Sequence, residues 1–199
     1  EDWATSWQKY YQPIPIGRRT YIVPDWMRGQ AVPAGRVPLY LNPGLTFGTG
    51  SHATTQLCLE LLEQAVEPGC HVLDLGCGSG ILAIAALALG AKDAIGVDID
   101  PKAVDVAYEN AALNGIGRDR LTVLAGNVLG DAKLAARLRP GENRVVLANI
   151  VADVIIPLSR VVPEFLQEDS IFICSGILNT RLAEVLDALR RVGLQGLLE

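Results

Sequence analysis

Residues 71–90, "HVLDLGCGSGILAIAALALG", constrain the fold more than any other stretch. Five residues of strand character run without polar alternation into Gly76, Gly78 and Gly80, and then into an apolar helix that Gly90 closes. A strand without alternation is buried on both faces, the condition of a parallel sheet covered by helices on each side. The same order of elements recurs downstream. "AIGVDI" reads as a second strand, "LTVLAG" from Leu121 as a third, "RVVLANI" from Arg144 as a fourth and "SIFICSG" from Ser170 as a fifth. Helices are expected between them over "KAVDVAYENAALNG", over "DAKLAARLR" from Asp131, and around 151–166, where Pro157 and Pro163 interrupt. A last one follows over "TRLAEVLDALRRVG" from Thr180. Strands alternating with helices predict βαβ units and an α/β fold: a Rossmann-like, doubly wound, mostly parallel sheet with helices on both faces. Ligands of such sheets bind beyond the carboxyl ends of the strands.

The amino-terminal part is different. Residues 1–40 hold Trp3, Trp7 and Trp26 and are broken by Pro13, Pro15, Pro24, Pro33 and Pro38, which predicts a short helix followed by extended, irregular chain. "LNPGLTFGTGSHATTQ", 41–56, is a glycine-rich loop, and a helix follows, with Leu57, Leu61, Leu62 and Ala65 at helical spacing before Pro68 and Gly69. The expected division is a lead-in and glycine-rich loop over 1–52 and an α/β unit over 53–199, in one compact domain.

Composition narrows the function classes. Seventeen Lys and Arg against 22 Asp and Glu, without a basic cluster, argue against a nucleic-acid groove, and no direct DNA binding is expected. Cys58, Cys70, Cys77 and Cys174 show no CxxC spacing, and His52 and His71 are the only histidines, so no metal site is expected and the thiols should be reduced. The start is not a signal peptide, and the apolar run from Ile81 is far short of the roughly 20 residues of a membrane span. A cytoplasmic protein without membrane contact is expected, and none of these features fixes an oligomeric state.

Gly76, Gly78 and Gly80 allow a tight turn and close backbone approach to a ligand, and the helix that follows offers amides and a positive dipole end to an anionic group. A dinucleotide fingerprint would need its third glycine at position 81, which is Ile81, so NAD is disfavoured. At the tip of the next strand Asp98 can accept hydrogen bonds from the two hydroxyls of a ribose. Asp100, before Pro101, is better read as a helix cap. A plain strand-to-helix connection is the bland alternative.

"VLDLGCGSG", "GVDIDPKAV" and the asparagine of "YENAALNG" resemble the class I S-adenosylmethionine-dependent methyltransferases over about residues 53–192. That resemblance implies a seven-stranded sheet with one antiparallel strand and S-adenosyl-L-methionine as cofactor. Gly76, Cys77 and Gly78 would lie at its methionine part, Asp98 at the ribose, and Asn127 and Val128 beside adenine, with Ile99 among the cofactor contacts.

"NPGLTFGTGSHATTQLCLELL" with "LANIVADVIIPL", the lead-in "DWATSWQKYYQPIPIGRR" and "SGIL" at 175–178 are similar to the ribosomal protein L11 methyltransferase family, of PrmA type. The resemblance implies protein N-methylation of lysine and amino-terminal amines of a large-subunit ribosomal protein, the expected partner. It carries cofactor contacts onto Thr55, Gly76, Asp98 and Asn149, puts Phe47 and Thr49 along the methionine end, and makes Asn149 the catalytic residue facing the transferable methyl. Asn149 can orient an amine through its side-chain oxygen, and no strong base is needed in the motif. His52 is set aside as a base. The family also carries an amino-terminal recognition domain and a last strand pair, and the expectation is that both ends of this sequence are trimmed of them. The alternatives are a class I enzyme acting on a glutamine amide or RNA, whose usual N-P-P-[YF] is replaced here by "ANIV", and a nucleotide-binding module without catalysis.

Overall fold

In a computed structural model of the chain, residues 8, 11–42 and 53–195 are described. In chain order they form β1 (Ile14–Ile16), β2 (Thr20–Pro24), β3 (Val37–Leu41), α1 (Ala53–Ala65), β4 (His71–Leu75), α2 (Ile81–Ala88), β5 (Asp93–Asp98) and α3 (Pro101–Leu113). There follow β6 (Leu121–Ala125), α4 (Ala132–Ala136), β7 (Asn143–Asn149), α5 (Ala152–Leu158), α6 (Val162–Phe165), β8 (Leu166–Ser175) and α7 (Asn179–Arg191).

The lead-in departs from the expectation of irregular chain. Residues 14–41 build a separate three-stranded sheet in which β2 pairs antiparallel with β1 and parallel with β3. Its prolines stand where a ladder can spare a donor: Pro15 and Pro38 lie on the two outer strands and Pro24 ends the central one. The sheet is fastened to α1 by Glu63, whose carboxylate accepts from the amides of Arg18, Arg19 and Thr20 at 2.9, 3.0 and 2.7 Å. Ile16, Ile22, Leu39 and Leu41 are buried in the same apolar cluster as α1 and α2, so this sheet shares the main core. Asn114 holds the outer strand β3 as a further strand would, accepting from the Tyr40 amide and donating to the Tyr40 carbonyl, both at 2.8 Å. The helix expected near the amino terminus lies outside the described residues.

The larger sheet has the order β6-β5-β4-β7-β8, and every pairing in it is parallel. The described residues thus supply five of the seven strands that the family resemblance implies, and no antiparallel member. The helices follow from sequence. In α2, Ile81 through Leu87 are all buried, which is why this helix is apolar on every side. Asp100 caps α3 by accepting from the Lys102 amide at 2.9 Å with Pro101 in the first turn, as expected, and Asp131 caps α4 through Lys133 and Leu134. Pro157 falls inside α5, while Pro163 sits in the first turn of α6, where its missing amide costs nothing. Leu59 and Leu62 of α1 are completely buried, each contributing roughly 1.5–3 kcal/mol of burial energy. None of the described helices is long and apolar enough to cross a membrane.

From β4 the chain steps to β5 and β6 on one side and returns to β7 and β8 on the other, which makes the gap between β4 and β7 the topological switch point. Registers bring the strand ends level: Leu75 lies opposite Val97, Asp98 opposite Ala125, and Asn149 opposite Ser175. The candidate site stands on that edge.

Candidate functional site

Gly76, Gly78 and Gly80 all adopt left-handed backbone, with φ of 71°, 50° and 76°. An L side chain is strained in that region, which explains three glycines in five residues. The turn is locked at its base, where the amides of Gly76 and Cys77 donate to the Val97 carbonyl at 2.8 and 3.0 Å. At its crest, buried Asn110 of α3 donates to the Ser79 carbonyl at 3.0 Å. Gly80, at the N-cap of α2, brings no side chain to the amino end of the helix.

Asp98 is pinned in place. Its Oδ2 accepts from the Gly78 amide at 2.8 Å and its Oδ1 from the Asp100 amide at 2.9 Å. Each oxygen keeps a further lone pair for an outside donor, so the carboxylate is preset for a pair of vicinal hydroxyls.

Asp74, one residue before the end of β4, is 1% exposed, and its Oδ2 has no hydrogen-bond partner among the described residues. Burial pushes its carboxyl up to about 7; the Ala83 amide of α2, donating to it, pulls the other way, and the charge of Asp98 adds to the rise. A buried carboxylate with a free oxygen is costly unless a ligand supplies the missing donor or cation. Asp74 lines the cavity at the switch point, so its missing partner can come from there.

That cavity, of about 320 Å³, is bounded by the glycine turn, Thr54 and Thr55 of α1, and Asn149. Asn149 donates from Nδ2 to the Thr55 hydroxyl at 3.3 Å, which leaves its Oδ1 as an acceptor for the cavity. A second cavity of about 260 Å³ lies at the ends of β5 and β6, bounded by Asp98, Ile99, Gly126, Asn127 and Val128. Gly76 and Ile150 line both. The two cavities therefore adjoin, with Gly76 and Ile150 as a common wall, and make a two-lobed trough with Asp74 and Asn149 on one lobe and Asp98 on the other.

The expected site residues Thr55, Gly76, Cys77, Gly78 and Asn149 meet on the first cavity, and Asp98, Ile99, Asn127 and Val128 on the second. Cys77 offers the trough only its backbone side: its thiol is buried, faces Gly96 across a gap too narrow for a methyl group, and is held well above the ordinary thiol range, first by burial and then by Asp74. Ile99 is 77% exposed, and Asn127 folds its own side chain back onto the Leu129 amide at 3.0 Å. Phe47, Thr49 and His52 lie outside the described residues. The sequence reading missed Asp74, Ile150 and Gly176. Asp74 did leave a signal, since an acid inside "VLDL", a strand buried on both faces, must find a partner. Ile150 and Gly176 lie inside the family-like stretches "LANIVADVIIPL" and "SGIL", but nothing local singles them out, because their proximity arises only when β7 and β8 pair.

A doubly wound parallel sheet with two adjoining cavities at its switch point and an acid at the tip of its second strand is the architecture of the class I methyltransferases. The family model described as ribosomal protein L11 methyltransferase (PrmA) matches residues 1–196, and the chain belongs to that family. The ribosomal protein L11 methyltransferase of Acetivibrio thermocellus is 44% identical over 195 residues, covering 98% of this chain and 59% of the relative. That of Clostridium perfringens (strain 13 / Type A) is 43% identical over 196 residues, with the same shares. The chain thus spans about three-fifths of the length of these curated relatives. The crystal structure of a ribosomal protein L11 methylase from Lactobacillus delbrueckii subsp. bulgaricus superimposes with a TM-score of 0.81 at 37% identity, covering 93% of this chain and 90% of that one. A TehB-like SAM-dependent methyltransferase from Corynebacterium glutamicum shares the fold, with a TM-score of 0.53 at 18% identity over 69% of this chain and 72% of that one.

Proposed function

We propose that this chain binds S-adenosyl-L-methionine along the trough and transfers its methyl group to lysine and amino-terminal amines of ribosomal protein L11. The carrying observation is the pair of cavities joined at Gly76 and Ile150, with Asp98 preset in one and Asn149 held by Thr55 in the other. Family membership supports the substrate and a cytoplasmic setting. In this reading residues 53–199 are the binding and catalytic unit, and 1–52 the lead-in and covering loop, with Phe47 and Thr49 assigned to the methionine end by resemblance.

The chain's residues fit such a cofactor. Asp98 receives the ribose hydroxyls on the lone pairs its two amides leave free. Val128 and Ile99 offer apolar surface to a flat base, next to Asn127. Asp74 supplies a negative charge for an amino acid's ammonium group. When bound, the cofactor supplies a methyl carbon already activated by a sulfonium, so what the protein must provide is alignment. Asn149 Oδ1 accepts an N–H of the incoming amine and turns the nitrogen lone pair toward the trough. A lysine amine, with an ordinary pKa near 10.4, must first lose a proton. Desolvation against Val151, Ile81 and Leu82 favours its neutral form, with the proton leaving to solvent.

The test is methyl transfer from radiolabelled cofactor to purified large-subunit ribosomal proteins and RNA. Label on L11 lysines and its amino terminus is the expected result; label in RNA alone overturns the substrate assignment.

A further inference from the structure

Ile150 follows Asn149 directly and, among the described residues, is the only side chain bordering both cavities, since the other shared residue is Gly76. Three features hold it there. Its amide donates to the Ser175 carbonyl at 3.0 Å, tying it to the end of β8. On one side is Gly76, where a Cβ would come within 2.6 Å of Ile150 Cγ2. On the other is Gly176, where a Cβ would come within 2.9 Å of the Ile150 carbonyl oxygen and 3.1 Å of its carbon. Both glycines have left-handed backbone, with φ of 71° and 85°. The fold thus leaves out a side chain against the Ile150 side chain at Gly76 and another against the Ile150 backbone at Gly176, and keeps that isoleucine on the wall the two cavities share.

We propose that Ile150 positions the sulfur of the bound cofactor, its branched side chain forming the apolar seat at which the ligand turns from the nucleoside cavity into the amino acid cavity. This rests on the cofactor reading given above. A ligand with a nucleoside at Asp98 and an amino acid at Asp74 must cross the shared border, and the atom joining those halves is the sulfur. An aliphatic floor excludes water from the sulfonium and adds no polar atom to compete with the incoming amine. Standing next to Asn149 in sequence, the seat is also fixed relative to the group that orients the acceptor. Gly76 and Gly176 then have a defined task, which is to leave Ile150 its room.

The test is calorimetric binding of two ligands, S-adenosylhomocysteine and adenosine, to the wild-type chain and to Ile150→Val and Ile150→Ala. Adenosine fills the nucleoside cavity and carries no sulfur. The expected result is a graded loss for S-adenosylhomocysteine, about two- to threefold for Val and about tenfold for Ala, with adenosine affinity changed less than twofold. Thermal unfolding of each ligand-free variant checks that it folds, and the Val variant carries the test should the Ala variant not fold. Gly76→Ala should weaken S-adenosylhomocysteine by crowding Ile150, and Ile150→Ala on that background should then cost less than it does alone. Parallel loss of both ligands would make Ile150 a mere wall of the nucleoside cavity, and unchanged S-adenosylhomocysteine binding would remove it from the site; either overturns the proposal. A wild-type chain that binds adenosine but not S-adenosylhomocysteine overturns the cofactor reading itself, and this inference with it.

Discussion

The two ends of the parallel sheet are built on opposite principles. At the amino ends of the strands, charge is matched within the protein: Asp93, the first residue of β5, is bonded by Arg139 and lies 2.8 Å from His71 Nδ1, and Arg144 pairs with Glu67 at 2.8 Å. Arg120 there donates to the carbonyls of Leu87 and Ala91 at 3.1 and 2.9 Å, closing the end of α2. At the carboxyl ends, Asp74 Oδ2 has no partner among the described residues, Asp98 and Asn149 keep acceptor capacity, and three successive turn glycines hold left-handed backbone. One end pairs its charges within the fold, although buried Asn143 Oδ1 and Arg144 Nε lack partners among the described residues; the other keeps its acceptors beside the two cavities. A substitution should therefore cost stability at one end and binding or turnover at the other.

The largest effect is expected from Asp98→Ala. Losing two charge-assisted hydrogen bonds, each worth roughly 1.5–3 kcal/mol, should weaken S-adenosylmethionine binding about 100-fold or more by calorimetry. Unchanged affinity would take Asp98 out of the site. Asn149→Ala should lower turnover by up to about 100-fold while cofactor affinity falls much less, because orientation of the amine is lost. Equal losses in steady-state turnover and in binding would make Asn149 a cofactor ligand only.

Asp74 joins the two sides of the comparison through pH. Its folded-state pKa is raised from 3.8 to about 7, chiefly by burial, so the native chain holds the proton more tightly than the unfolded chain. Its contribution to stability is therefore fully present below about pH 4 and is lost as the pH rises to about 7, a change of up to about 4 kcal/mol. Asp74→Asn should flatten the fall in unfolding midpoint between pH 5 and pH 8 in the ligand-free chain, and weaken cofactor binding about tenfold at pH 8. A variant as pH-sensitive as the wild type would show that Asp74 is not the titrating group. The smallest effect belongs to the opposite end. Arg139→Ala, which breaks a partly exposed ion pair, should lower the unfolding midpoint by roughly 2–4 °C, for about 1 kcal/mol, and leave cofactor affinity untouched.

What could be read from sequence follows the range of the interactions. The glycine turn, Asp98 and the Asp100 cap are local: spacing and residue type determine them within one strand, turn and helix. Thr55 and Asn149 came from family likeness, and their hydrogen bond spans 94 positions, which no local pattern encodes. Asp74 was overlooked because its significance lies in an absent partner, and that requires knowing what surrounds it. The lead-in forms a sheet where extended, irregular chain is expected because its outer strands and a strand end accept the prolines that would break a longer element. Ile150 sits inside the family-like "LANIVADVIIPL", but its setting is not local, since Gly76 and Gly176 converge on it from strands that are not consecutive.

Calorimetric titration of the chain with S-adenosylmethionine and, separately, with NAD probes the open end of the sheet most directly. S-adenosylmethionine is expected to bind at one site per chain and NAD not to bind; binding of NAD without S-adenosylmethionine would contradict the assignment of this trough.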